Sequence, residues 1–420
     1  MELATTPNAR LDIDPDDVHT TYVARGLDRC SDEQLFDVAA RTVAIPKADP
    51  ADSFVLHAPL ELLARRALLR FVPPRRRDAV RERMLWVAAT YEHAGTSIDP
   101  APSADFASAA AAASTLAEAI DAKDLDATDR AASWLGRHAA TDAVMTLADP
   151  SVDRLAAAGH AGIYFALLAR TASGNRAALA MLRPLVREIT RLPELRIEWI
   201  RSDWTGDRRA DTDALTFASA LATTPRLGLP GSDFIFPVVH QVDNGGLARE
   251  LIAPTLPTNL PAAGAVILRV AAASMLQDDP AFAPYGWTHC LTLPQSVLSI
   301  RPWLADATRA TAIAATYVAA FRAAEGARDV DIDRRPEPTR VALHDALAAD
   351  PETAASAAFH ATEDELEVLV PELAARAGAH EDAHLAKYTL ACLTAAATDT
   401  AERRLYLSAA AYLSAWWKTT

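Results

Sequence analysis

Helical periodicity runs through nearly the whole of this 420-residue chain and determines its fold class. Segments such as 58–70 (APLELLARRALLR) and 76–93 repeat apolar residues every three or four positions, which is the spacing of one face of an α-helix. Alanine dominates many of these segments, and it has the highest helix propensity of the amino acids. We therefore predict an all-α protein.

The other predicted helices fill the chain between breaks rich in proline and glycine. They lie at 103–121, 128–146, 151–171, 174–190, 208–222, 259–277, 303–325, 337–349, 363–376, 380–397 and 399–417. Residues 151–171 are apolar almost all round, which indicates a central, buried helix. The best strand candidate is 233–242 (DFIFPVVHQV), although its proline argues against a place inside a sheet. We divide the chain into an N-terminal extension, 1–20, and one large domain of irregular helical pairs, 21–420.

Charge and composition exclude several classes of function. A net charge of -14 argues against nucleic acid as a partner, because phosphates need a basic face. Three scattered cysteines form no disulfide framework, and the acidic N-terminus lacks a signal-peptide pattern, so we expect a cytoplasmic protein. The sequence contains no run of about 18 apolar residues without charge, so we predict no membrane span. The formation of a homodimer is left open. Motifs for dinucleotide binding, the P-loop and the serine-hydrolase elbow are missing.

The eleven histidines fall into two main groups. Five have charged or polar neighbours and are predicted to be exposed: His19, His93, His138, His344 and His360. Four lie in apolar surroundings on separate segments: His57, His160, His289 and His384. A single buried histidine is typical of a hydrogen-bonded core, but four of them favour a metal site, since imidazole is a common ligand for iron, zinc and copper.

Lys387 strengthens the metal hypothesis. The chain has 41 basic residues other than histidine but only four lysines, and Lys387 lies in an apolar helix three residues after His384. That spacing places both side chains on one helix face. Burial lowers the pKa of a lysine, and the neutral amine can add carbon dioxide to become a carbamate, which is an oxygen ligand for a metal. The alternative is a lysine that reaches the surface or pairs with a carboxylate.

Four short motifs, in order, resemble the questin oxidase-like family. They are LHAPLELLARRAL, AGHAGIYFAL, GWTHCLTLPQS and HEDAHLAKYTLAC, and the resemblance extends from about residue 20 to residue 417. It implies an all-α fold that holds one non-heme iron through four histidines and a carboxylated lysine. Residue by residue these ligands are His57, His160, His289, His384 and Lys387.

The resemblance also implies an activity. The family opens a ring of fungal anthraquinones, by oxygen insertion or by cleavage of a C–C bond. For this chain we expect an Fe(II)-dependent oxygenase, a dioxygenase or a Baeyer–Villiger-like enzyme, that uses O2 on a small aromatic substrate. A polyketide, quinone or hydroquinone of secondary metabolism fits that description. Five protein ligands would leave one octahedral position open, unlike the three left by two histidines and one carboxylate.

The substrate pocket is predicted from residues near the motifs. Tyr164, Trp287, Thr292, Gln295 and Tyr388 are its candidates, together with Phe165, Trp416 and Trp417, and each has an alternative role in the core. Asp382 and His380 flank the fourth motif. His380 is spaced four residues from His384, so it could replace one of the four histidines as a ligand.

Two other functions remain open from the sequence. Carbamylated lysines also bridge zinc pairs in metallohydrolases, although no obvious aspartate for a second ion stands in this chain. A non-enzymatic helical scaffold with incidental histidines is the other reading. The number of metal ions bound to each chain distinguishes these functions.

Overall fold

The computed structural model describes residues 11–48, 53–99, 104–172, 175–202 and 212–419. Throughout these residues the regular structure is helical, and the only β-pairings are two isolated bridges, Lys47 with Ser97 and Arg154 with Arg196. The predicted all-α class is confirmed. Leu11 and Ile13, at the start of the described chain, are already buried in the core.

The helices are numbered here in chain order. They are α1 Val18–Ala24, α2 Asp32–Val43, α3 Ser53–Leu68, α4 Arg77–His93, α5 Ala109–Asp121, α6 Leu125–His138, α7 Ala140–Asp153, α8 Ala161–Ala172, α9 Arg176–Ala180, α10 Leu182–Arg191 and α11 Trp199–Ser202. They continue as α12 Ala214–Ala222, α13 Ile235–Asn244, α14 Leu247–Ile252, α15 Leu260–Gln277, α16 Thr288–Ile300, α17 Ala307–Glu325, α18 Leu343–Ala346, α19 Pro351–His360, α20 Glu363–Ala379, α21 Ala383–Thr398 and α22 Arg403–Thr419. A single π-helical turn, Ala283–Trp287, leads directly into α16.

Four helices form a closed ring in the centre of the molecule. Helix α3 packs on α21, α21 on α16, α16 on α8, and α8 again on α3. This ring matters for function because each of the four helices carries, or directly follows, one of the histidines singled out in the sequence.

The strand suggested at 233–242 is wrong, because most of this segment belongs to helix α13. Pro237 lies in the first turn of α13, where its missing N–H costs no hydrogen bond. Ile235, Val238, Val239 and Val242 are the buried residues, and their spacing follows the helical period of 3.6 and not the period of 2. The proline that argued against a sheet was the correct signal.

Several predicted helices also differ in extent, and three of them show this clearly. The segment 151–171 is interrupted, because α7 ends at Asp153 and α8 begins only at Ala161. The segment 128–146 divides at Ala139 between α6 and α7. The segment 337–349 keeps only the short helix α18.

Helix α15 is long and apolar enough to cross a membrane by length and composition alone. In this fold 61% of it is buried against other helices, which is also typical of a core helix in a globular protein. Arg269 interrupts its apolar sequence and forms two hydrogen bonds with the carboxylate of Asp399, at 2.7 and 2.8 Å. A paired arginine in mid-helix fits packing inside a protein better than contact with lipid.

Candidate metal centre

His57 lies in the second turn of α3, not before the helix as the sequence indicated. The helix begins at Ser53 and runs through Pro59, so the proline does not mark its start. Nδ1 of His57 is 2.7 Å from the backbone carbonyl oxygen of Ser53, one turn earlier. Because a carbonyl can only accept, Nδ1 carries the proton and Nε2 of the neutral ring keeps its lone pair.

His160 is not inside a helix but follows a left-handed turn. Ala157, Ala158 and Gly159 have φ values of 52°, 53° and 86°. Each of the two alanines costs about 1–2 kcal/mol in this conformation. Gly159 tolerates no side chain, because a Cβ there would collide with Ile235 of α13. The turn brings the carbonyl oxygens of Ala157 and Ala158 to 3.2 Å from Nδ1 of His160, so this ring too presents Nε2.

His289 is the second residue of α16, directly after the π-helical turn. Burial lowers the pKa of its ring, the nearby backbone carbonyl of Tyr285 acts in the opposite direction, and the ring face stacks on Phe321 of α17 with 6.0 Å between ring centroids. A π-turn at this position is notable because such turns occur frequently at functional sites.

His384 and Lys387 share one face of α21, as their spacing predicts. Asp382 is the N-cap of this helix, and its Oδ1 accepts from the backbone N–H of His384 at 2.6 Å and from Nδ1 at 2.8 Å. Burial opposes ionisation of Asp382, but the hydrogen bonds from His384 outweigh it and lower the pKa of the carboxyl to about 2. The aspartate is thus a fixed anion that orients the imidazole.

The four rings converge on one small volume. Centroid distances are 4.5 Å for His57 and His160, 4.9 Å for His160 and His289, 5.0 Å for His289 and His384, and 5.1 Å for His384 and His57. Nitrogens of His57, His160 and His384 lie within 4.8 Å of one another. The structure therefore brings together histidines that are separated by up to 327 positions (384 − 57) in the chain.

Burial keeps all four imidazoles neutral. Burial, followed by the charge of the Lys387 amine, lowers the pKa of His57 to about 3 and that of His384 to about 4. The pKa values of His160 and His289 are also well below the ordinary value, first through burial and then through the neighbouring His and Lys side chains. Neutral imidazole is the form that binds a metal.

The contact between His160 and His289 is the most informative in the cluster. Their Nε2 atoms lie 3.0 Å apart. Nδ1 of His160 faces two backbone carbonyls, so in the neutral ring its Nε2 carries a lone pair. The space between the two Nε2 atoms suits either a proton on Nε2 of His289 or a cation. Two imidazole nitrogens at ~2.1 Å from one ion and at right angles lie about 3 Å apart, which is the spacing observed.

Lys387 completes the cluster. Its side chain is 3% exposed, and among the described residues its Nζ has no hydrogen-bond partner. Burial lowers its pKa to about 7, although the carboxylates of Asp382 and Glu61 act in the opposite direction. The sequence left open a lysine that reaches solvent or forms an ion pair, and neither is found. A buried amine that is partly neutral at physiological pH is the form that adds carbon dioxide.

The donor set fits a metal ion of intermediate hardness. Besides Nζ of Lys387, Nε2 of His57 is buried with no partner in the described part of the chain, so two polar atoms of the cluster lack any protein contact. Leaving such groups unsatisfied costs about 1–3 kcal/mol each. Four imidazoles, with or without one carbamate oxygen, suit iron, zinc or copper.

A buried ionic network, not identified from the sequence, joins α3 to the segment before α21. Glu61, one turn after His57, accepts from Arg65 at 2.6 Å and from Arg83 at 3.0 Å. Arg65 is fully buried and also donates to the carbonyls of Ala377, Gly378 and His380 at the end of α20. The i,i+4 spacing of the three residues 57, 61 and 65 was the available sequence signal.

Most of the predicted pocket residues hydrogen-bond the backbone or lie buried in the core. Tyr164 donates to the carbonyl of Met181, Trp287 to that of Asp279, and Thr292 to that of Thr288. Gln295, Tyr388 and Phe165 are buried, while Trp416 and Trp417 are partly buried. A crevice on the other face of α3 from His57, lined by Lys47, Val55, Pro59, Tyr91 and Glu188 among others, includes only Tyr164 from the predicted set.

The other histidines lie outside the cluster. The five predicted to be exposed are exposed. His380 precedes α21, so helical spacing does not relate it to His384, and its ring packs on Trp417 at 5.5 Å while its Nδ1 accepts from the N–H of Asp382. This geometry makes His380 a capping residue and not a substitute ligand.

Comparison with family models, with curated proteins and with solved structures finds no match to this chain.

Proposed function

We propose that this protein is a non-heme iron oxygenase whose metal is held by His57, His160, His289, His384 and Lys387. The observation that carries the proposal is the 3.0 Å approach of the Nε2 atoms of His160 and His289 inside a buried cluster of four neutral imidazoles. A metal ion that takes both nitrogens as ligands accounts for this spacing.

Lys387 supplies the oxygen ligand. The neutral amine attacks the carbon of CO2, an N–C bond forms, and one N–H proton leaves to give the carbamate anion. The surrounding imidazoles are neutral, and the hydrogen bonds of Asp382 to His384 and of Glu61 to Arg65 partly offset the repulsion between these two carboxylates and the carbamate. A single anionic ligand among four neutral ones leaves the site with less negative charge than a carboxylate-rich site.

The residues around the ligands hold their protons and orientation. The carbonyls of Ser53, Ala157 and Ala158 and the carboxylate of Asp382 each bind the ring nitrogen that does not face the cluster. Such partners fix the tautomer and raise the basicity of the ligating nitrogen. When bound, ferrous iron supplies the dioxygen chemistry that no side chain of the protein provides.

For the substrate we propose only a chemical class. We infer a small, electron-rich aromatic compound, such as a quinone or hydroquinone of secondary metabolism, with O2 as the co-substrate. The low polarity of the helices around the cluster suits an apolar ring. We place the enzyme in the cytoplasm, and its assembly as a homodimer is compatible with the fold.

A metallohydrolase with two zinc ions finds less support in the geometry. Near the cluster the acidic side chains are Asp382 and Glu61, which are occupied by His384 and by Arg65 and Arg83. Within the described residues a single group of at least three clustered ligands occurs, and it includes His57, His160 and His384. A scaffold role is also less favoured, because it does not explain why the amine of Lys387 is buried.

The test is the metal content of the chain, measured by mass spectrometry on protein purified anaerobically without added metal. We expect about one iron per chain, lost in His160→Ala and His289→Ala and retained in the exposed control His360→Ala. Two zinc ions per chain would favour the hydrolase. No metal, even after incubation with Fe(II), would overturn the proposal. Dioxygen uptake with a panel of quinols then tests the reaction itself.

A further inference from the structure

The ligating atoms of the cluster are closed off from solvent. Nε2 of His57 and Nζ of Lys387 are fully buried, and the rings of His160 and His289 are 3% and 7% exposed. A substrate therefore reaches the cluster only if part of the surrounding wall moves. The side chain that moves should be one that lies directly between the cluster and solvent.

Tyr285 stands between the cluster and solvent. Half of it is exposed, which is unusual for an aromatic residue in this chain. Its ring meets the ring of His384 edge to face, with centroids 4.9 Å apart and planes at 82°. Its hydroxyl lies 3.4 Å from Oδ2 of Asp382, the carboxylate that orients His384. One face of Tyr285 thus covers a proposed ligand while the other contacts water.

The backbone around Tyr285 is held in place from both sides. Trp287 donates its indole N–H to the carbonyl of Asp279 at 2.9 Å, and the hydroxyl of Thr288 bonds the carbonyl of Pro284 at 2.8 Å. At Gly286 the carboxylate of Glu325 fills the space that a Cβ would need. With the π-turn fixed in this way, the side chain of Tyr285 is the part that can rotate without unfolding its neighbours.

The hydrogen bond of the Tyr285 hydroxyl is weak, so rotation of this side chain costs little free energy. A contact of 3.4 Å lies at the long end of the hydrogen-bond range, and the exposed half of the ring has no protein contact to lose. Exposed side chains change rotamer on the picosecond to nanosecond timescale.

We propose that Tyr285 is the entrance residue of the histidine cluster and limits the size of the substrate that reaches it. The ring covers His384 in the closed state and swings toward solvent to admit a substrate, while the bond to Asp382 favours the closed position. The inference deepens the proposed function and rests on it, since it names the specificity-determining residue of the same site.

The first test needs no metal. Metal-free protein is treated at neutral pH with diethylpyrocarbonate, which acylates accessible neutral imidazole nitrogens, and the peptide that contains His384 is followed by mass spectrometry. We expect labelling of His384 to be roughly tenfold faster in Tyr285→Ala than in the wild type, because the covering ring is gone. Tyr285→Phe, which keeps the ring, should remain close to the wild type.

Two controls separate access from loss of folding. His360 is exposed in every variant, so its labelling rate should not change. Leu215→Ala removes another strongly exposed apolar side chain, on α12, and should leave His384 at the wild-type rate. Equal labelling of His384 in the wild type, Tyr285→Phe and Tyr285→Ala would overturn the proposal.

The second test uses metal-loaded protein and the rate at which a chelator removes the iron. Tyr285→Ala should release iron faster than Tyr285→Phe, with the equilibrium metal content unchanged. If the chain binds no metal, the proposed function fails, yet the labelling of His384 still decides whether Tyr285 covers the cluster. If iron binds but neither rate changes, the entrance lies elsewhere and only the further inference fails.

Discussion

Oδ1 of Asp382 lies 2.8 Å from Nδ1 of His384 and 2.6 Å from its backbone N–H. One carboxylate therefore begins helix α21 and at the same time orients the imidazole that this helix presents to the cluster. Local helix capping and ligand orientation are coupled through a single atom. This coupling leads to the first prediction.

Asp382→Asn should weaken metal binding without melting the helix. Asparagine is an equally good N-cap and can still accept from Nδ1, but it lacks the charge that raises the basicity of the ring. We expect metal affinity to fall by about tenfold and the thermal midpoint of the metal-free protein to change little. Competition with a calibrated chelator measures the affinity.

The matched control is Asp350→Asn. Asp350 caps α19 in the same way, with its carboxylate on the N–H of Thr353 at 2.8 Å, but it is exposed and belongs to no cluster. Unchanged metal affinity in both variants would contradict the orienting role of Asp382.

Lys387→Met should make the metal-free protein more stable and the metal site weaker. Methionine fills a similar volume without burying an unpartnered amine, so unfolding should cost roughly 1–3 kcal/mol more. The carbamate ligand is lost, and we expect at least ~100-fold lower metal affinity, beyond the effect of an orienting residue. Denaturant unfolding and chelator competition measure the two effects.

Lys123→Met serves as the control for Lys387→Met. Lys123 is exposed and pairs with Glu194 on the surface, so its replacement should leave both quantities within error. A variant of Lys387 that retained full iron content would remove this lysine from the ligand set. A carbamate also predicts that exhaustive removal of CO2 and bicarbonate during reconstitution lowers the metal content of the wild type and of Lys123→Met, but not that of Lys387→Met.

Lys387 should contribute stability to the metal-free protein that increases as pH rises. The folded pKa of Lys387 is about 7, below its ordinary value of 10.5, so between these values the unfolded chain holds a proton that the folded chain lacks. The contribution of this amine then rises with pH in that window, by up to about 1.4 kcal/mol per unit, while buried acids with raised pKa values, such as Glu325 and Cys290, act in the opposite direction. Below about pH 7 both states hold the proton and this contribution is constant.

The histidines act in the same direction at lower pH. The pKa values of His57 and His384 fall from 6.5 to about 3 and about 4, so stability is lost as pH decreases through 6.5. Urea unfolding at several pH values measures both windows. Lys387→Met should remove the contribution of this amine between about pH 7 and 10.5 and keep most of the acidic slope, which burial of the histidines dominates. A stability profile unchanged in the alkaline window would contradict the burial of a titrating amine.

Gly286→Ala should destabilise the protein by about 1–3 kcal/mol, because a Cβ at this position occupies the space of the Glu325 carboxylate. Gly136→Ala is the control, since the nearest atom to its added Cβ is 3.5 Å away and it lies inside α6. That variant should gain roughly 0.5–1 kcal/mol. Glu325→Ala should remove most of the penalty at Gly286, which a double-mutant cycle measures.

Several features of the molecule follow from local sequence. The helices follow the 3.6-residue period, and the common face of His384 and Lys387 follows from their separation of three residues. The apolar residues beside His57, His160, His289 and His384 correctly distinguished these four histidines from the five exposed ones. These properties depend on residues within one or two turns, so they can be predicted from one segment at a time.

The failures occur where distant segments decide the conformation. The apolar run 151–171 is helical in pattern, yet the chain adopts a left-handed turn at Ala157–Gly159, where Ile235 of α13 packs on Gly159. This contact with a distant helix is not encoded in the periodicity of the segment itself.

The sequence by itself determined an all-α protein and a short set of residues with metal-binding chemistry, because helix propensity and side-chain type are local properties. Only the tertiary structure decided that α3, α8, α16 and α21 close into a ring and bring Nε2 of His160 to 3.0 Å from Nε2 of His289, 129 residues away. It also placed Tyr285 over His384. Packing between segments far apart in the chain sets these distances, and no periodicity in a single segment contains them.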